Sequence, residues 1–167
     1  TRALRNRFVR NQTILGLTVY GPSFAAIVGT DGLTGTAAYL VMAGGSFFAS
    51  AEYARRSEMT EANVLLSTAM AWRTAGSALL IGAESEAKPK SIAAMTLIGG
   101  LGGTVAGLMI GKGLTGGEAA ATVFGHDLAY ASAVALSFVA SPGLTDPGVF
   151  DSRHAAVWTT AGAVGYV

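Results

Sequence analysis

The sequence predicts an all-α fold, a polytopic membrane bundle of about four to six short helices rich in glycine and alanine. Three observations favour this fold. Of the 167 residues, 51% are apolar and only 13% are charged, against about 25% in an average soluble domain. The few charges fall in narrow bands. Between the bands lie apolar stretches of about 20 residues, which match a hydrocarbon core of roughly 30 Å at about 1.5 Å per residue.

The first two apolar stretches follow an arginine-rich start. The first covers about residues 13–29 and contains Gly21-Pro22. Proline cannot donate the hydrogen bond that a helix interior requires, so this pair predicts a kink or an early end. The second stretch covers about residues 33–54 and ends at Arg55 and Arg56, where cations favour the negative end of the helix dipole.

The later stretches begin at recognisable capping residues. Thr60 can cap a helix through its hydroxyl, and Thr115 with Glu118 has the spacing of a capping box. The polar run at residues 84–90 predicts a loop. These signals predict four further helices, at about residues 61–82, 91–111, 115–140 and 152–167.

The chain is expected to form a single helical membrane domain, a basic segment at residues 1–12 followed by helices over residues 13–167. If all six stretches span, one side of the membrane carries seven cations and the other carries three. Loops on the cytoplasmic or equivalent side are enriched in Lys and Arg, so the side with seven cations is assigned there. The seven are Arg2, Arg5, Arg7, Arg10, Arg55, Arg56 and Lys112, and the three are Lys88, Lys90 and Arg153. This predicts an N-terminus on the cytoplasmic, matrix or stromal side of a bacterial inner, organelle inner or thylakoid membrane. A soluble helical protein buried inside an assembly is the alternative.

Glycines at a spacing of four form the clearest motif. They lie nearly on one face of the predicted fourth helix and are Gly99, Gly103, Gly107 and Gly111. In lipid, helices associate by close packing, and a face without side chains lets a partner backbone approach. The intervening residues are mostly Leu, Val, Met and Ile, so we interpret this stretch as a packing element rather than a linker. Gly44 and Gly45 favour the same kind of packing elsewhere.

Two charged residues lie far from any predicted loop. Arg73 is near the middle of the third predicted helix and Asp127 near the middle of the fifth, at similar depth. A lone charge at the bilayer centre costs at least ~2.5 kcal/mol, so we expect the two to form a buried pair. The pair is either a structural lock or, with His126, a polar site or proton path. His126 is also a candidate ligand for a pigment or haem.

Composition and motifs exclude several classes of function. With no cysteine, the chain has no disulfide, thiolate metal site or cysteine nucleophile, and a net charge of +1 gives no attraction to nucleic acid. No nucleophile elbow, zinc-protease motif or phosphate loop is present. We therefore expect no enzymatic activity, no metal site and no indicated cofactor.

Three functional hypotheses remain. The first is a non-catalytic accessory subunit of a larger membrane complex, such as an energy-transducing one, with the lipid bilayer and other membrane subunits as partners. The second is a small transporter or channel with Arg73, His126 and Asp127 along its path. The third is a membrane protein that holds a pigment or haem through His126.

Overall fold

The computed structural model describes residues 1–29, 31–85 and 87–140, and this part of the chain is helical with no strand. The predicted all-α fold is confirmed. The predicted helix at residues 152–167 and Arg153 lie outside the described residues. The elements are α1 (Arg2–Leu15), a π-helical segment (Gly16–Tyr20), α2 (Gly21–Val28), α3 (Gly32–Arg56), α4 (Glu61–Glu84), α5 (Pro89–Ile110), a short 3₁₀ segment (Gly111–Gly113) and α6 (Gly116–Ala140).

The N-terminal helix starts earlier than predicted. Helix α1 begins at Arg2, so the basic segment at residues 1–12 is itself helical and does not precede the helices. Arginine is a good helix former, and its charge marks solvent or an interface rather than a helix boundary. The expected irregularity at Gly21-Pro22 takes the form of the π-helical segment, after which Pro22 occupies the first turn of α2.

The starts of α4 and α6 agree with the predicted caps. Thr60 Oγ1 accepts a hydrogen bond from the Asn63 amide at 3.1 Å, and the Asn63 side chain accepts one from the Thr60 amide at 3.4 Å. At α6, Thr115 Oγ1 accepts from the Glu118 amide at 3.3 Å, and Glu118 Oε2 accepts from the Thr115 amide at 2.8 Å. Both are reciprocal capping boxes, which satisfy amides that a helix terminus leaves without partners.

Helix α4 is the centre of the bundle. It packs along α5 and also contacts α6 and α1, while α3 covers α1 and α2 from the other side. The core is small and divided. One cluster joins Tyr20 and Leu15 to Ala71 and Ala75 of α4, and two others lie towards the N-terminal end of α4. The alanines let α4 lie close to several neighbours at once.

A polytopic bundle of four to six spans is not confirmed. Within the described residues, two helices are long and apolar enough to cross a membrane, Glu61–Ala83 and Pro89–Gly113, judged by length and composition alone. Helix α3 is 25 residues long, but it contains Glu52, Arg55 and Arg56 as well as several glycine, serine and threonine residues. Helix α3 is therefore long enough to span a membrane, but its composition is less apolar than that of α4 and α5.

Candidate functional site

The glycine face of α5 lies directly against the backbone of α4. A Cβ atom on Gly107 would be 2.5 Å from the carbonyl oxygen of Leu66, and one on Gly99 would be 2.7 Å from that of Thr74. Real Cβ atoms do not approach backbone this closely, so only glycine fits.

The other two predicted glycines continue the same contact along α4. A Cβ on Gly103 would be 2.5 Å from the Met70 carbonyl oxygen, and one on Gly111 would be 2.8 Å from the Asn63 amide nitrogen. The partner positions on α4 descend as the glycines ascend, so α4 and α5 are antiparallel. By contrast, a Cβ on Gly102 would meet no atom within 4 Å. The structure thus places all four predicted glycines, but not Gly102, on the contact face.

Two side-chain hydrogen bonds hold the register of the α4–α5 pair. Thr74 Oγ1 donates to the Gly99 carbonyl at 2.5 Å, and Asn63 Nδ2 donates to the Leu108 carbonyl at 2.8 Å. Asn63 is 4% exposed. Asn63 would lose the Leu108 acceptor if α5 moved by one residue, and a buried donor without a partner costs about 1–3 kcal/mol. Thr74 Oγ1 could instead donate to the Met70 carbonyl of its own helix, which is 2.6 Å away.

Arg73 of α4 and Asp127 of α6 meet. Arg73 Nη2 donates to Asp127 Oδ1 and also to the Val123 carbonyl, the latter at 3.4 Å. The burial is unequal, because the Arg73 side chain is 18% exposed and that of Asp127 is 61% exposed within this chain. The predicted contact is therefore present, but its carboxylate lies on the outer side of the bundle rather than in a closed core.

His126 lies behind this pair and is almost fully buried, at 2% exposure. Its Nδ1 is 3.9 Å from Asp127 Oδ1. Together with Arg73, the two residues line a cavity of about 250 Å³ between α4 and α6, and Ser77 also faces it. Arg73 Nη1 is buried and has no hydrogen-bond partner among the described residues. The three sequence-predicted polar residues therefore form one site.

The size of this cavity limits what it can hold. Pockets for drug-sized ligands are about 300–1,000 Å³, and this cavity of about 250 Å³ is large enough for water or a small ion. No group of three or more His, Cys, Asp or Glu side chains with metal-site spacing occurs within the described residues. Chemically, the cavity offers a guanidinium donor, an imidazole and a carboxylate in contact range.

The sequence did not indicate a second polar cluster between α1 and α5. Tyr20 donates to the Gly100 carbonyl at 3.3 Å, and its hydroxyl lies 2.8 Å from Thr104 Oγ1. Thr104 in turn donates to Gln12 Oε1 at 3.4 Å. Both ends of this cluster are buried, since Tyr20 is 2% exposed and Gln12 is 4% exposed. A signal was present, since Thr104 is one of few hydroxyl residues in its apolar stretch, but its partners are more than 80 residues away.

The sequence of this chain matches no protein-family model, no curated protein and no solved structure.

Proposed function

We propose that this chain is a non-catalytic structural subunit of a larger integral membrane complex, inserted through the α4–α5 hairpin. The observation that carries the proposal is the outer surface of the bundle. Large apolar side chains are exposed on several helices, among them Leu33 at 84%, Phe48 at 71%, Ile98 at 70% and Phe124 at 69%. Soluble monomers rarely expose apolar patches on this scale, so lipid or partner proteins must cover this surface.

Helix α3 supplies the best surface for a partner helix. Val41, Gly44 and Phe48 lie on one side of α3, because they are three and four residues apart. Val41 is 69% exposed and Phe48 is 71% exposed, and a Cβ on Gly44 would meet no atom within 4 Å. A small residue between two large apolar ones is the pattern that membrane helices use to pack closely. On α5 the chain fills such a face itself, whereas on α3 the described residues leave one open.

The distribution of cations supports one orientation. Arg5, Arg10 and Arg55 line the same groove, so the basic bands of α1 and α3 lie at one end of the bundle. Gly111 approaches Asn63 at the start of α4, which brings the neighbouring Lys112 to that end as well. The proposal therefore places this end on the cytoplasmic, matrix or stromal side of a bacterial or organelle membrane.

The test is gentle detergent extraction of the full chain from its native membrane, followed by sizing and mass identification of companions. We expect a particle that contains other membrane subunits. Gly44→Leu should keep the α4–α5 hairpin but release the chain from the particle, because the new side chain fills the open face of α3. The matched variant Gly102→Leu, also at an open glycine, should remain assembled. A small homo-oligomer in the wild type, or full assembly of Gly44→Leu, would contradict the proposal.

A small transporter or channel is the second candidate, and the cavity beside Arg73, His126 and Asp127 favours it. A polar cavity within a helical membrane bundle is a common location for ion pathways. Proteoliposomes that contain the purified chain should then show an ion or proton flux that Asp127→Asn abolishes. An absorbance spectrum of the same material tests the pigment or haem hypothesis, since a bound macrocycle would absorb visible light.

A further inference from the structure

A groove of about 600 Å³ runs between α1 and α3 at the basic end of the bundle. One part of its lining is cationic and is formed by Arg5, Arg10 and Arg55. The other part is apolar and includes Val9, Ile14 and Phe47. The groove therefore presents positive charge and hydrocarbon to the same occupant.

Two of the three arginines in the groove have no ion-pair partner within the described part of the chain. Arg55 donates to both carboxylate oxygens of Glu52, at 2.9 and 2.8 Å. Arg5 and Arg10 are exposed, and neither forms an ion pair with a described residue. Two guanidinium groups thus remain available for an anion, and guanidinium binds phosphate oxygens through two parallel hydrogen bonds.

The apolar part of the groove is open to its occupant. Ile14 is 44% exposed and Phe47 is 43% exposed, although both belong to helices that pack on each other. Contact with a hydrocarbon chain would remove this apolar surface from water, which is favourable. A free phosphate ion would leave that surface uncovered, so the groove fits an amphiphile better than an inorganic anion.

We propose that this groove binds an anionic phospholipid, with its phosphate on Arg5 and Arg10 and an acyl chain along Ile14 and Phe47. The inference rests on the proposed membrane location. Clusters of Lys and Arg next to a membrane-spanning helix on its cytoplasmic or matrix side are a recognised way to hold anionic headgroups. Such a lipid would fasten α1, which is rich in arginine, to the membrane interface.

The experiment uses the full chain in phosphatidylcholine nanodiscs and measures phosphatidylglycerol binding by titration with a spin-labelled or fluorescent analogue. Arg5→Gln with Arg10→Gln should weaken binding on the order of 30-fold, since one arginine near an anionic surface contributes about fivefold. The matched control is Arg2→Gln with Arg7→Gln, which removes the same charge from α1 outside the groove. It should retain binding within about fivefold.

A third variant separates the groove from diffuse attraction. Ala51 lines the groove, and Ala51→Phe should block the acyl chain and abolish saturable binding with no change in charge. Equal losses in both arginine pairs, or unchanged binding in Ala51→Phe, would overturn the inference while leaving the membrane proposal intact. A chain that does not enter nanodiscs at all would instead overturn the proposed function.

Discussion

The contact between α5 and α4 allows a sharp test with two glycines of α5, Gly107 on the contact face and Gly102 off it. In Gly107→Ala the new Cβ would be 2.5 Å from the backbone of Leu66 and Ser67. An ordinary contact is about 3.4 Å or more, so the helices must separate by roughly 0.9 Å. Backbone atoms cannot turn aside as a flexible side chain can. In Gly102→Ala the same methyl group would meet no atom within 4 Å.

The expected magnitudes follow from these two environments. Overpacking typically costs about 1–3 kcal/mol, and we expect Gly107→Ala towards the upper end because the clash is with backbone. Alanine has a higher helix propensity than glycine, which stabilises either variant by up to about 1 kcal/mol and offsets part of the overpacking cost in Gly107→Ala. In Gly102→Ala this stabilisation has no overpacking cost to oppose it. The two variants should therefore differ by about 2–3 kcal/mol, with Gly102→Ala neutral or slightly stabilised.

The assay is reversible unfolding of the purified chain in mixed micelles, with helix content followed by circular dichroism. Wild type, Gly102→Ala and Gly107→Ala are measured in the same detergent, so that effects of the micelle cancel in the differences. Equal free energies of unfolding for the two variants would refute the tight α4–α5 contact. Stabilisation of Gly107→Ala would show that its face is directed to lipid rather than to α4.

The other predictions concern polar groups. Asp127→Asn should destabilise the chain by about 2–3 kcal/mol because it leaves the Arg73 guanidinium without its counter-ion. In the same unfolding assay, the double variant with Arg73→Gln should recover part of that loss. Additive losses would mean that the two side chains are not coupled. Thr60→Ala should cost about 1 kcal/mol through loss of the α4 cap, and a helix start unchanged in amide exchange would contradict this. Hydrogen bonds from the side chain and the amide of Thr34 lower the pKa of Asp31, so the folded chain gains stability above the unfolded pKa of about 3.9 and loses it as the pH falls through the lower folded value. Asp31→Asn should remove this acid-dependent part of a thermal unfolding series, and an unchanged series would refute it.

Local sequence signals were sufficient to predict the starts of α4 and α6, but not the start of α1. The caps at Thr60 and Thr115 depend on side chains three residues away, so the sequence contains the whole interaction. The start of α1 at Arg2 cannot be predicted from hydropathy because its arginines are polar, although arginine favours helices. Length alone predicts up to six spans, whereas length and hydropathy together select two helices among the described residues.

The candidate site was predictable in its members and not in its geometry. Similar depth in two helices was enough to predict that Arg73 and Asp127 meet. It could not show that the carboxylate would be 61% exposed, because exposure depends on how far α6 lies from the remaining helices. The cluster around Gln12 and Thr104 was invisible for the same reason, since its hydrogen bonds join distant parts of the chain.

The sequence by itself determined the helical fold, the capped starts of α4 and α6, and a glycine face on α5, because each depends on residues within one or two turns. Only the tertiary structure decided which small-residue face is used within the chain. Gly103 and Gly44 both lie in glycine-rich apolar helices, yet the first meets the backbone of α4 and the second meets open space. Periodicity fixes the direction in which a face points along its own helix, whereas the neighbour that covers it depends on loops, crossing geometry and contacts between residues distant in sequence.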